Sequence, residues 1–173
     1  MKRYIFCILL FGVFSGSANA LEGVHYLLPK VTALVFDTNP DKKSPLYAVG
    51  VFYGYGFHSN LAIELEANVG VYKGDYASET GKGTFSSWNI GGFGVYRHPF
   101  YKSAYVKAKV GTALYHSEHL APTASDADVR QDLQVVIGAG AGYTFASQIA
   151  IELEYLRIKE SSHNLGIGLH YPF

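Results

Sequence analysis

The sequence predicts an all-β fold, an eight-stranded antiparallel up-and-down transmembrane β-barrel. Three observations predict it. Segment after segment alternates with period two, one face apolar and the other small or charged, the mark of strands with two unlike faces. The charged positions share their face with glycine, while the opposite faces carry almost no charge; a soluble barrel is the reverse, with charge outside. Three short turns, near 59, 99 and 147, alternate with longer polar stretches, as short periplasmic turns alternate with external loops in a membrane barrel.

The amino end reads as a secretory signal over residues 1–20. Lys2 and Arg3 precede an apolar run over 4–14, and SGSANA places Ala18 and Ala20 before Leu21. That run, about 11 residues, is too short for a helix that needs about 20 to span a bilayer. Its removal leaves one domain, residues 21–173. Cys7, the single cysteine, departs with the signal, so the mature chain holds no disulfide. Lys2 and Arg3 leave as well, so 12 basic residues face 14 acidic ones and no electrostatic footprint for nucleic acid exists. A chain with these short apolar segments enters a membrane only as a closed barrel, since open edges leave backbone groups unpaired in lipid.

The first strand, 25–36, sets Leu27, Pro29, Val31, Ala33 and Val35 against Tyr26, Leu28, Lys30, Thr32 and Leu34. Residues 37–45 form a polar, proline-containing loop. The second, 46–57, has an apolar face from Tyr47 to Phe57 over Ala48, Gly50, Phe52, Gly54 and Gly56. After the turn at 58–60, strand 61–72 sets Leu61, Ile63 and Leu65 against Ala62, Glu64 and Glu66. A loop over 73–84 leads to the fourth strand, 85–97, with Trp88 and Ile90 outward and Asn89, Gly91 and Arg97 on the other face. The fifth, 101–115, opposes Val106, Ala108 and Val110 to Lys107 and Lys109. The longest loop, 116–131, precedes the sixth strand, 132–145, and a short turn leads into the seventh, 149–158, with Glu152 and Glu154 inward.

The last strand, 165–173, puts Leu165, Ile167, Leu169, Tyr171 and Phe173 on one face and Gly166, Gly168, His170 and Pro172 on the other. Pro172 has no N–H to donate, which predicts incomplete pairing with the first strand at that rim. An internal echo stands out: LAIELE at 61–66 and IAIELE at 149–154 agree at five of six positions. Lying 88 residues apart, the copies run the same way and sit opposite each other. The parity assigns eight inward charges: Lys30, Arg97, Lys107 and Lys109 against Glu64, Glu66, Glu152 and Glu154. An eight-stranded barrel is just wide enough for side chains to fill, so these predict a paired structural network. Were Lys107 and Lys109 to point to lipid, the assignment fails.

GIGLHYPF resembles the carboxyl-terminal assembly signal of outer-membrane barrels, through Gly168, Tyr171 and the terminal Phe173, with Gly166 where that signal usually starts with a polar residue. The mature chain resembles the small OmpA-like, opacity-type family of eight-stranded surface barrels. The alternation of short turns and longer loops predicts both termini on the periplasmic side; the resemblance implies a bacterial outer-membrane location, a monomer, contact with lipid and lipopolysaccharide, and insertion by the barrel-assembly machinery. It also implies a non-enzymatic task in which external loops meet host or envelope ligands. A purely structural envelope barrel is the alternative; a small-solute channel or a lipid A-modifying enzyme follows.

Other chemistry is weak in the residues. The lipid A 3-O-deacylases resemble this chain in size and use a His-x-Ser-Asn motif near the outer end of the seventh strand. The matching stretch here reads Tyr155, Leu156, Arg157, Ile158. His58, Ser59 and Asn60 lack the intervening residue and fall in a short turn. With no nucleophile beside a base at the membrane surface, acyl transfer has no machinery. Glutamates at i, i+2 suggest general acid–base work, but a filled lumen admits no sugar. His116 and His119, with Asp126 and Asp128, have only loose metal-ligand spacing. The sequence therefore predicts no catalytic, cofactor or metal residues.

Overall fold

Lipid on one side and a packed interior on the other dictate the alternation, and the computed structural model displays it over residues 22–36, 46–71, 74–78, 81–120, 128–159 and 162–173. Nine strands fall within these residues: β1 (His25–Phe36), β2 (Leu46–His58), β3 (Leu61–Gly70), β4 (Gly74–Ser78), β5 (Gly81–Tyr101), β6 (Ala104–Leu120), β7 (Asp128–Thr144), β8 (Ala150–Lys159) and β9 (Ser162–Pro172). Every ladder is antiparallel, in the order β3-β2-β1-β9-β8-β7-β6-β5-β4, and β3 pairs with β5 to close the wall. β3 and β4 share one wall position. Leu61 to Val69 pair with Tyr96 to Trp88, and Gly74 to Ser78 continue along the same β5 edge from Phe85 to Gly81. The nine segments therefore build an eight-stranded barrel. The predicted signal, 1–20, and the loop at 37–45 lie outside the described residues.

Burial is inverted relative to a soluble protein. Leu65 is 62% exposed and Leu153 54%, while their neighbours Glu64 and Glu152 are 1% and 2% exposed. An outside this apolar is stable only against lipid. Aromatic pairs mark both ends of the apolar band. Near the short turns His25 packs on Tyr55, with ring centroids 4.8 Å apart, and on Phe173 at 6.2 Å. Toward the other end Trp88 stacks on His116 at 5.0 Å and Tyr155 on His163 at 5.5 Å. Such rings sit where an amphipathic side chain is half in lipid and half in water.

Three expectations need correction, the last of them at a short turn. The stretches 73–84 and 116–131 are largely strand: β4 pairs with the start of β5, and β6 reaches Leu120 opposite a β7 that begins at Asp128. Above the bilayer no apolar face is required, so Ser86, Ser87, Ser117 and Gln131 show no alternation although the backbone ladder continues. The second correction concerns Pro172. It pairs opposite Tyr26, and the Phe173 N–H donates to the His25 carbonyl at 2.8 Å, so that rim is closed. The β1–β9 ladder instead skips Leu28 and Pro29, between Leu27 opposite Tyr171 and Lys30 opposite Gly168. Hydrogen-bonded partners alternate along an antiparallel strand, so with His25 bonded to Phe173, position 29 would donate to Leu169, and proline has no N–H to give.

The short turns are tight. His58 and Leu61 flank the first; the second falls at 102–103 and not near 99 as expected, because His98 and Pro99 stay paired in β5, with a bulge between Pro99 and Tyr101. In the third, Phe145 donates to Ile149 at 2.8 Å and Gln148 adopts φ 66°, a left-handed conformation that glycine takes at less cost.

Candidate functional site: the lumen and the arm

The inward face builds a charged layer across the barrel. All eight predicted charges are there, each 5% exposed or less. Arg97 Nη2 lies 2.8 Å from Glu64 Oε1 and 3.2 Å from Glu152 Oε1. Lys107 Nζ reaches Glu152 at 2.7 Å, Glu154 at 2.8 Å and Glu64 at 3.3 Å. Lys109 Nζ pairs with Glu66 at 2.7 Å and Glu64 at 3.3 Å, and Lys30 pairs with Glu154. Both lysines of β6 thus point into the lumen. Four cations interleave with four carboxylates, which offsets the several kcal/mol that each buried ion would otherwise cost.

The echo explains the geometry. In the strand order β3 and β8 stand four places apart, on opposite walls, and carry the two Glu-x-Glu pairs. β1 and β6 also stand four places apart, midway between them, and carry Lys30, Lys107 and Lys109. Carboxylates and ammonium groups therefore alternate around the ring, with Arg97 on β5 beside β6. Long side chains fit because glycine faces them across the ladder: Gly50 and Gly168 flank Lys30, Gly140 faces both Lys107 and Glu154, and Gly138 faces Lys109.

Sequence parity placed Tyr26, Phe52 and Tyr105 on the inward face but gave them no part in this layer. Tyr26 donates to Glu64 at 2.9 Å and accepts from Arg97 Nη1 at 3.0 Å. Tyr105 donates to Glu152 at 2.5 Å. Phe93 and Phe52 present their faces to Lys109 Nζ at 4.0 and 4.4 Å. A signal for the tyrosines existed. Each faces a cross-strand glycine, Tyr26 at Gly54 and Tyr105 at Gly142. A Cβ at Gly54 would come within 2.0 Å of the Tyr26 ring, and one at Gly142 within 2.2 Å of the Tyr105 ring.

Two cavities flank the layer. One of about 110 Å³ opens at the short-turn end, beside Arg97, Tyr105 and His170. The other, far smaller, lies beyond the layer toward the arm, among Thr32, Asn68, Ser87, Asn89 and Asn164. On the arm-ward side Ala113, Val136, Leu156 and Ile158 form an apolar plug.

The arm is the extension of β5, β6 and β7, 21, 17 and 17 residues long, with β4 along its edge. A barrel strand crosses a bilayer in about 9–11 residues, so this side rises well above the wall formed by β8 and β9. His116 lies there, hydrogen-bonded to Gln131 at 3.1 Å and to Glu118 at 3.2 Å. Among the described residues no group of three or more His, Cys, Asp or Glu side chains is placed to hold a metal. Asp126, and the side chains of His119 and Asp128, lie outside the described residues. Gly168, of the terminal signature, packs over Leu28, while Tyr171 and Phe173 face outward.

Solved structures share this architecture. Neisserial surface protein A matches with a TM-score of 0.67 at 13% identity, over 88% of this chain and 100% of that one. OprG of Pseudomonas aeruginosa gives 0.62 at 13% identity, over 88% and 97%. Ail, the attachment invasion locus protein of Yersinia pestis, gives 0.58 at 14% identity, over 88% and 99%. At these identities the likeness is one of fold. No curated protein matches by sequence. The profile of the outer membrane protein beta-barrel domain covers residues 6–173, and the chain accordingly belongs to that family, as a barrel of the bacterial outer membrane.

Proposed function

We propose that this barrel is a non-enzymatic surface protein whose arm contacts host or envelope ligands, with both termini in the periplasm. One observation carries the reading: β5, β6 and β7 exceed the bilayer-spanning length while β3, β8 and β9 do not. A wall needs no such extension for its own stability, and binding residues concentrate on segments that a rigid scaffold projects. The name attachment invasion locus protein, borne by one neighbour of like fold, agrees with it. A non-enzymatic role is supported by the seventh spanning segment, where Tyr155 to Ile158 offer neither serine nor histidine.

The test shortens the arm at a register that preserves pairing. Glu118 stands opposite Val129, so replacing residues 119–128 with Asn-Gly closes the hairpin with a two-residue turn. The variant is expected to keep heat-modifiable gel migration and to lose binding to host cells or matrix. Undiminished binding by an intact barrel sinks the adhesive reading and leaves the structural one, which predicts envelope leakiness in a strain lacking the protein. Lipid A mass spectra of that strain test the enzyme reading directly. Because the only cysteine is Cys7, a Ser117→Cys variant gives a single label, and reaction with an impermeant maleimide on intact cells checks the orientation.

A further inference from the structure

Two buried amide oxygens in the lumen have no hydrogen-bond partner among the described residues: Asn68 Oδ1 on β3 and Asn164 Oδ1 on β9. The side chains are 5% and 4% exposed. Both residues line the same small cavity, with Thr32, Ser87 and Asn89 completing its polar wall. β3 and β9 are not neighbours, since β2 and β1 lie between them, so nothing in the ladder joins the two asparagines.

The orientation of Asn68 is fixed by its surroundings. Its Nδ2 donates to Glu66 and, at 2.9 Å, to Asn89 Oδ1. Turning the amide over would set its oxygen against a carboxylate. The carbonyl therefore points away, over Gly50, where a Cβ would meet it at 1.8 Å. An unsatisfied buried acceptor costs about 1–3 kcal/mol, and two beside one cavity call for a shared donor.

We infer that this cavity holds a single ordered water that donates to Asn68 Oδ1 and Asn164 Oδ1 and ties β3 to β9 across the lumen. Its volume, about 10 Å³, is room for a single water, and buried waters take 2–4 polar partners. Water brings two O–H donors to two orphaned acceptors, and its lone pairs can accept from the Ser87 hydroxyl. A cation of similar size fits less well. Every carboxylate of the nearby layer already faces a lysine or arginine, Glu66 its Lys109, so no net negative charge is left to hold one.

The full barrel in lipid nanodiscs, labelled for NMR, tests this. A rotating-frame cross-peak between a long-lived water and the side-chain amides of Asn68 and Asn164 is expected in the unaltered protein; its absence overturns the inference. Asn68→Ala and Asn164→Ala are expected to be coupled, the double variant losing about fivefold less in unfolding equilibrium than the product of the single losses. Independent effects overturn the bridge. An unfolding midpoint that rises with sodium or potassium chloride, and not with choline chloride, overturns water in favour of a cation. The cross-peak needs no variant, so a substitution that blocks folding does not remove the test.

Discussion

β3 and β8 are ten residues each and carry the Glu-x-Glu pairs, whereas β5 to β7 run 17 to 21 and carry the arm. Within the bilayer each position has one allowed character, apolar outward or paired inward, because either error puts a charge in lipid or an orphan in the core. Above it the same backbone continues with neither rule in force. The short strands are thus constrained on both faces, by lipid outside and by packing inside, and the long ones are free to vary outside the membrane. Stability belongs to the first group, and the proposed recognition to the second.

The largest test of that division removes one carboxylate from the ring. Glu152→Ala takes one carboxylate partner from Arg97 and from Lys107 and the acceptor from Tyr105, leaves the ring one negative charge short, and is expected to cost about 3–5 kcal/mol, read from urea unfolding followed by Trp88 fluorescence. A loss below about 1 kcal/mol would mean that the ring is not what holds the lumen. On the outer face, Leu65→Arg places a charge midway along β3 and is expected to cost about 2–4 kcal/mol in the same assay. A neutral result there would contradict the lipid-facing assignment. The smallest effect lies in the third turn, where Gln148→Gly relieves the left-handed backbone and is expected to add about 0.5–1 kcal/mol. Shortening the arm should move none of these midpoints, which separates the two regions most directly.

What the sequence made legible follows the same boundary. The spanning parts of the strands and the side each residue faces were readable because lipid enforces alternation; Lys107 and Lys109 are inward for that reason. The extent of β4 to β7 was not, because Ser86, Ser117 and Gln131 lie beyond the enforcing solvent. Nor were the partners within the ring. Lys107 meets Glu152 two strands away, and which inward residues share a level depends on the stagger between strands, which period two does not encode. Pro172 was a misplaced expectation of the same kind: the missing donor that matters is Pro29, and only the register shows which proline nitrogen faces a neighbour's carbonyl.

The alternation of β3, β1, β8 and β6 around the lumen has an electrostatic consequence. Negative groups stand on two opposite walls; of the positive groups Lys30 stands on β1 and three stand on β6 and the adjoining β5, so four charges of each sign leave no net charge. The field of a set of charges with no net charge falls off faster with distance than that of a single unpaired charge. These side chains therefore act on one another at contact distance, 2.7–3.7 Å for the two lysines of β6, and their influence weakens steeply a barrel's length away. The arm can gain or lose charges in the course of evolution with little effect on the ring beneath it, and the ring, having no net charge, adds little to the field around the arm.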